Sequence, residues 1–467
     1  MAIVLLAIII VGLLLIATET FNRMNKAAVA MFAAVCCWMI YIAGGTDFVI
    51  AEHPIDFLSY VASRPVTFHT VKEFIADQIF LRYAAKAADI VLYLLATTTI
   101  VEVLNNNGCF DFLREGLQTR NPVRFLWLLA ALTFLLSANL DNLATAVLML
   151  GIVHPMLSND KSRRIYGVVI VLAANCGGAI TVIGDMTSLK LWTEGLVTPT
   201  SYFAALVLPV LAAIISVLIL LQRMLPSRLQ TDHTALPYRG DDTLLSRPQR
   251  LLMLFVGIGG LWFIPTFHRI TLMPPFVGAM CVLGLLWIVN EVCNRQLLSS
   301  DQMVRRRLPM ALQYANLQNI LFFIGLVLMF AALGETGLYG TAATAIHGHN
   351  PSPILTGASS FLSAALFGSV PSLIGFTSFI THCGPLPLSP DFAPGGAFWP
   401  MLSFTTALGG SMLVTGTIAG CLLMRMEQVS FGWYFRHIAP KVLIGFAIGF
   451  AVLLLVSPFV VPFLSLS

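Results

Sequence analysis

The chain has 467 residues, of which 58% are hydrophobic and 10% charged, against about 45–50% and about 25% in soluble globular domains. That composition excludes an ordinary soluble enzyme, a disordered tail and a nucleic-acid binder, and a formal net charge of +4 is too small to imply a polyanionic partner. With a mean hydropathy of +0.86 and roughly 20 apolar residues needed per crossing, the chain reads as an all-α polytopic membrane protein with about ten spans.

In chain order, the apolar stretches that read as full crossings are 2–18, 27–45, 87–104, 166–190, 202–222, 250–266, 275–291, 318–334, 399–424 and 440–464. The first lacks a basic leading region and is long enough to span, so it reads as an uncleaved helix, not a signal peptide. Residues 46–86 form a long outer connection, of which 70–86 is predicted to lie along the interface as an amphipathic helix. Two further apolar stretches, 124–156 and 352–383, are interrupted at Asn139–Asn142 and at Gly368–Pro371. Each half is then about 15 residues, too short to span. Both read as re-entrant helical hairpins, whose broken backbone is tolerated only where protein or a watery cavity covers it. The Arg-rich stretch 223–250 reads as a flexible joint.

Basic residues set the orientation, because cytoplasmic loops carry the excess of Lys and Arg. With the N-terminus outside, the inner connections hold Arg23, Lys26, Arg114, Arg120, Arg124, Lys161, Arg163, Arg164, Arg223, Arg228, Arg239, Arg247, Arg250, Arg295, Arg305, Arg306, Arg307, Arg425, Arg436 and Lys441. The outer ones hold only Arg64, Lys72, Arg82, Lys86 and Arg269. Both termini are then outside, in a cell (inner) membrane. The first hairpin enters from inside and the second from outside. Cys36, Cys37, Cys176, Cys281 and Cys421 lie in apolar runs without CxxC spacing and read as reduced thiols.

A GG-x5-G pattern occurs twice, at Gly177, Gly178 and Gly184 and at Gly409, Gly410 and Gly416, each time after a hairpin. The hairpins also begin alike, at Phe134 to Ala138 and Phe361 to Ala364. Two inverted-topology repeats result, the plan of secondary transporters, whose sites form at the midplane from discontinuous helices. Glycine lets a helix unwind there; the plainer alternative is that these glycines only let helices pack closely. Four parts follow. Residues 1–86 hold two helices and the outer connection. Residues 87–222 are the first repeat, with hairpin 124–156 and broken helix 166–190. Residues 223–317 hold the inner loop and two linking helices. Residues 318–467 are the second repeat, with hairpin 352–383 and broken helix 399–424.

A charge inside a bilayer costs roughly 2.5–3.5 kcal/mol or more, so such residues default to function. Asp141 lies at the first hairpin tip, Asp185 just after the first glycine break, and Lys190 beyond it. A hard cation such as Na⁺ suits a carboxylate with hydroxyl, amide and carbonyl oxygens. Asn139, Asp141, Asn142 and Thr145 on one side, and Asn175, Asp185, Thr187 and Ser188 on the other, supply that set. Ser369, Gly409, Gly410 and Thr417 form the matching pocket of the second repeat. H⁺ and Na⁺ competing for one carboxylate is the minimal physics of an antiporter. Structural roles stay open: Asp141 and Asp185 could cap helices, and Lys190 could neutralise a carboxylate such as Asp185 or snorkel outward. Glu19 and Glu102 read as interfacial, and His347 with His349 is a weak metal hint. No nucleotide loop, enzyme triad or cofactor motif occurs, so the energy source reads as an ion gradient.

The segments 24–38, 97–111, 135–150 (with Leu140-Asp141-Asn142), 173–192 (with Gly177-Gly178-Ala179 and Gly184-Asp185), 273–291, 320–333 and 407–420 resemble the NhaD-type sodium/proton antiporters of the ion transporter superfamily. The resemblance implies Na⁺ or Li⁺ exchange for protons, Asp141 and Asn142 on an ion-binding hairpin, Asp185, Thr187 and Ser188 on the facing broken helix, and a homodimer in the lipid bilayer. Three departures stand out. The family's second hairpin has Asp-Asn where this chain has Gly368-Ser369, an Asp before the 320–333 stretch reads Asn316 or is missing, and a Thr-Thr-Thr run reads Thr187-Ser188-Leu189, followed by Lys190. They keep open a carrier of another small ion or anion, or a transport-inactive relative.

Overall fold

The computed structural model describes residues 1–62, 65–226, 229, 245–294, 315–346, 352–383 and 390–464. Among them every regular element is helical, the expected all-α fold. Arg64, Arg228, Arg239, Arg295, Arg305 to Arg307, His347 and His349 lie outside the described residues.

Local signals start the helices. Helix α1 covers Ala2–Ala17. Helix α2, Lys26–Ala43, is capped by Asn25, whose side chain accepts from the Ala27 N–H. Two short helices follow, α3 (Gly45–Glu52) and α4 (Pro54–Val61). Helix α5 spans Leu81–Asn106. The first hairpin is α6 (Pro122–Ser137) and α7 (Asn142–Met156), and after it come α8 (Asp160–Ala179), α9 (Met186–Thr193) and α10 (Pro199–Gln222). Asn121 and Thr198 cap α6 and α10 immediately before a proline at the first helical position, where proline's fixed φ and missing N–H cost nothing. Then come α11 (Gly260–Thr271), α12 (Pro275–Cys293) and α13 (Ala315–Gly334). The second hairpin is α14 (Pro353–Phe367) and α15 (Ser369–His382), followed by α16 (Phe398–Met412), α17 (Ile418–Glu427) and α18 (Ala439–Leu464).

Seven described helices are long and apolar enough to cross a membrane. The stretch 70–86 is not a separate helix. It is the start of one continuous helix, Phe68–Asn106, carrying a π turn at Ile75–Phe80. Val71, Phe74, Ile75 and Ile79 are buried there, so its apolar face is covered by protein. The stretches 166–190 and 399–424 are each split, into α8 and α9 and into α16 and α17, at the glycine patterns.

The two halves repeat one local geometry. A Cβ on Gly177 would strike the Phe134 carbonyl, and one on Gly409 would strike the Phe361 carbonyl. Only glycine permits that backbone approach. Gly178 faces Gly184 and Asn142, as Gly410 faces Gly416 and Ser369. Asn142 therefore matches Ser369, and Gly184 matches Gly416. One residue away, Asp141 matches Gly368 and Asp185 matches Thr417. The halves also exchange partners: α7 lies against α17, and α9 against α15.

Candidate functional site

The two breaks of the first half each end on an aspartate at the start of a helix. Asp141 caps α7: its Oδ2 accepts from the Leu143 N–H at 3.0 Å and the Ala144 N–H at 3.4 Å. Its Oδ1 is buried without a hydrogen-bond partner. Asp185 precedes α9, accepts a 2.6 Å hydrogen bond from the Thr187 hydroxyl, and lies within Coulombic reach of Asp141. Asp141 is 5% exposed and Asp185 7%, and neither has an ion-pair partner among the described residues. Two buried carboxylates in that state draw a proton or a cation.

Further polar side chains are buried on the same elements. Thr145, one turn into α7, is fully buried and its Oγ1 has no partner. Asn175 on α8 donates to Ser411 Oγ at 2.9 Å and to Thr417 Oγ1 at 3.3 Å, so it ties the first break to the second. Its Oδ1 is left buried and unpartnered. Ser188 is buried and donates to the Asp185 carbonyl at 2.8 Å. Asn142 is half-buried at the first position of α7. This set matches the oxygen-rich surroundings that a hard monovalent cation accepts.

The matching place in the second half has the same backbone and different chemistry. Gly368, with φ +99°, stands where Asp141 stands in the first half. Ser369 donates its N–H to the Gly416 carbonyl at 3.0 Å. Thr417 caps α17 by accepting from the Gly420 N–H. Gly368, Ser369 and Thr417 line a cavity of about 490 Å³ with Glu19, Lys26 and Arg425. Glu19 bridges the two cations, at 3.8 Å and 3.7 Å.

Two of the residues singled out from sequence stand elsewhere. Lys190 does not neutralise Asp185: its Nζ lies 2.5 Å from Glu194 Oε1. A four-residue step puts two side chains on one face of a helix, whereas the five-residue step from Asp185 turns them about 140° apart. The Asn139 side chain donates back to the Leu135 carbonyl and lines an apolar groove of about 640 Å³ with Trp127 and Trp262. Other groups carried no sequence signal. The buried Tyr93 hydroxyl lies near Asp141 without a partner. Glu427 takes His154 at 2.7 Å and Arg163 at 3.3 Å, joining the end of α7 to α17. Their partners are hundreds of residues apart in the chain, which no spacing rule reaches.

The family model described as citrate transporter matches residues 4–388. The chain belongs to that family. It is 31% identical to sodium/proton antiporter 2 of Arabidopsis thaliana, over 96% of this chain and 98% of that protein. It is 28% identical to the Na(+)/H(+) antiporter NhaD of Alkalimonas amylolytica, over 96% of this chain and 89% of that one. These matches bear out the NhaD-type resemblance. A solved structure, the YdaH transporter of Alcanivorax borkumensis, superposes with a TM-score of 0.60 at 12% identity, covering 91% of this chain and 97% of that one. At that identity the likeness shows the fold alone. The chain is a multi-pass membrane transporter of the citrate-transporter family.

Proposed function

We propose that the chain exports Na⁺ or Li⁺ in exchange for protons by alternating access. The observation that carries this reading is the pair Asp141 and Asp185. Both are buried at helix starts and lack an ion-pair partner among the described residues, and oxygens of Asp141, Thr145 and Asn175 are buried there without hydrogen-bond partners. A proton or a cation balances that negative charge, and the two compete for it. The antiporter names carried by the relatives agree. Asn142, Thr187 and Ser188 complete the ion site, and Asn175 couples it to Ser369, Gly409, Gly410 and Thr417, which shape the second pocket.

The four-part division at 86, 222 and 317 and the two inverted repeats describe how the site is built. By the basic-residue rule both termini face outward from an inner membrane, and the apolar flank suits lipid and a second copy of the chain. Exchange of this kind needs no covalent chemistry and no cofactor. A second reading, a carrier of a small anion, is favoured by Arg23, Lys26 and Arg425 around the 490 Å³ cavity and by Gly368 in place of a carboxylate.

The test is dequenching of a pH dye in everted vesicles, titrated with Na⁺, Li⁺ and K⁺. Antiport predicts dequenching with Na⁺ and Li⁺ that Asp141→Asn abolishes at unchanged protein level. Retained Na⁺-driven proton movement in that variant overturns the assignment, and uptake of a labelled anion without a pH change favours the second reading.

A further inference from the structure

Near α3 and α4, four polar side chains from four separate segments form one hydrogen-bonded chain. His53 Nε2 lies 2.6 Å from Glu335 Oε2. Glu335, just past α13, is 6% exposed. Its Oε1 accepts from the Tyr83 hydroxyl at 2.5 Å, and that hydroxyl lies 2.9 Å from Nε2 of His382, the last residue of α15. His382 Nδ1 faces the Ser378 carbonyl at 2.8 Å. Burial opposes ionisation of Glu335, but the hydrogen bonds from His53 and Tyr83 and the charges of both histidines hold it below the ordinary carboxylate range. The bond to Glu335 raises His53 above the ordinary histidine range, against burial.

The acceptors determine where the protons sit. A carbonyl only accepts, so Nδ1 of His382 carries a hydrogen. The single Tyr83 hydrogen goes to Glu335, so the Tyr83 oxygen accepts from His382 Nε2, which carries a hydrogen too. Every partner is satisfied with Glu335 ionised and His382 as imidazolium. A neutral His382 sets a lone pair against the Tyr83 oxygen, or takes the Tyr83 hydrogen and leaves Oε1 of the buried Glu335 without its donor.

Charged and titratable groups of both signs face the network. Lys86 and Asp89 of α5, with Lys190 and Glu194 at α9, share a cavity of about 240 Å³ with His382. Arg82 and Asp56 act on His53, and Glu52 lies against Gly337. Tyr339 packs its ring 6.3 Å from His382, and Cys383 adjoins it. The carboxylates Glu52, Asp56, Asp89, Glu194 and Glu335 and the cations Arg82, Lys86 and Lys190 thus lie near the two histidines.

α15 belongs to the second hairpin, whereas Tyr83, Glu335 and His53 lie outside both hairpins and both broken helices. We infer that His382 is a proton-binding latch, separate from the aspartate pair: protonated, it ties the second hairpin to Tyr83 and Glu335 over the 240 Å³ cavity, and its deprotonation frees the hairpin. This rests on the alternating-access reading and adds a regulatory proton site to it. An imidazole is the side chain whose charge change lies within about pH 5 to about pH 8, the range over which the latch is tested.

The test uses the full chain in sealed proteoliposomes, with Thr193→Cys on the cavity wall. A membrane-impermeant maleimide is applied from the side that carries residues 45–62. The exposed Ser59→Cys serves as reference, cancelling the reagent's own pH dependence, and the unsubstituted chain gives the background from native cysteines. The labelling ratio of Thr193→Cys to Ser59→Cys should rise at least about threefold from about pH 5 to about pH 8. With His382→Phe, and independently with Tyr83→Phe, the ratio should be high and flat. A flat ratio in the chain with both residues intact, or an equal rise in both variants, overturns the latch. The rise is read without transport, so a latch that responds in a chain showing no Na⁺-driven proton movement supports the latch and refutes the antiport reading.

Discussion

At the scale of single residues, Asp141 and Lys190 are two buried charges with opposite roles. Asp141 keeps one carboxylate oxygen unpartnered among buried groups, which is where an exchangeable ion is worth most. Lys190 is spent on Glu194, so it supports the fold of α9 and does not neutralise the site. The two differ in what their removal leaves behind. Lys190→Met leaves Glu194, 20% exposed in its side chain, without its cation, and breaking a buried pair costs about 3 kcal/mol. Thermal unfolding in detergent should show that loss, and Lys190→Met with Glu194→Gln should recover most of it, because no uncompensated charge remains. Equal destabilisation of single and double variants would mean that the Lys190 stem, not the pair, holds α9 in place.

At the scale of helices, the breaks were readable because glycine spacing reports a backbone requirement. Gly177 and Gly409 lie against carbonyls of the preceding hairpin, and an added methyl group there meets rigid backbone. Gly409→Ala should therefore destabilise by about 1–3 kcal/mol, seen as a lower unfolding temperature. Gly432→Ala, which has open space around it, should not. A normal unfolding temperature for Gly409→Ala would mean that the second break relaxes, as a moving part would. Helix starts also carry local signals: Asn121-Pro122 opens α6 and Thr198-Pro199 opens α10. The stretch 70–86 misleads because an amphipathic pattern reports a covered face without saying what covers it. Protein covers it here.

At the scale of the whole molecule, sequence reaches the fold class, the two repeats and the residues of the first break, since each depends on local pattern. It does not reach the contacts between distant segments. Nothing near His53 points to Glu335, and nothing near His154 points to Glu427, because those partners are chosen by how helices pack. Two local contacts run against the sequence reading as well: the Asn139 side chain turns back to the Leu135 carbonyl, and Lys190 pairs with Glu194 one helical turn on. The transporter body is asymmetric, with two aspartates in the first half and Gly368 and Thr417 in their places in the second. In the proposed exchange the first half supplies the carboxylates, and Asn175 joins it to the backbone frame of the second.

Direct Na⁺ binding to the purified chain, measured by calorimetry across pH, tests the central claim that Na⁺ and H⁺ compete for the Asp141 carboxylate. One proton displaced per bound ion predicts a Kd that weakens about tenfold for each unit of falling pH below the group's titration, and Asp141→Asn should bind no Na⁺. A Kd independent of pH, or unchanged binding in Asp141→Asn, would contradict it.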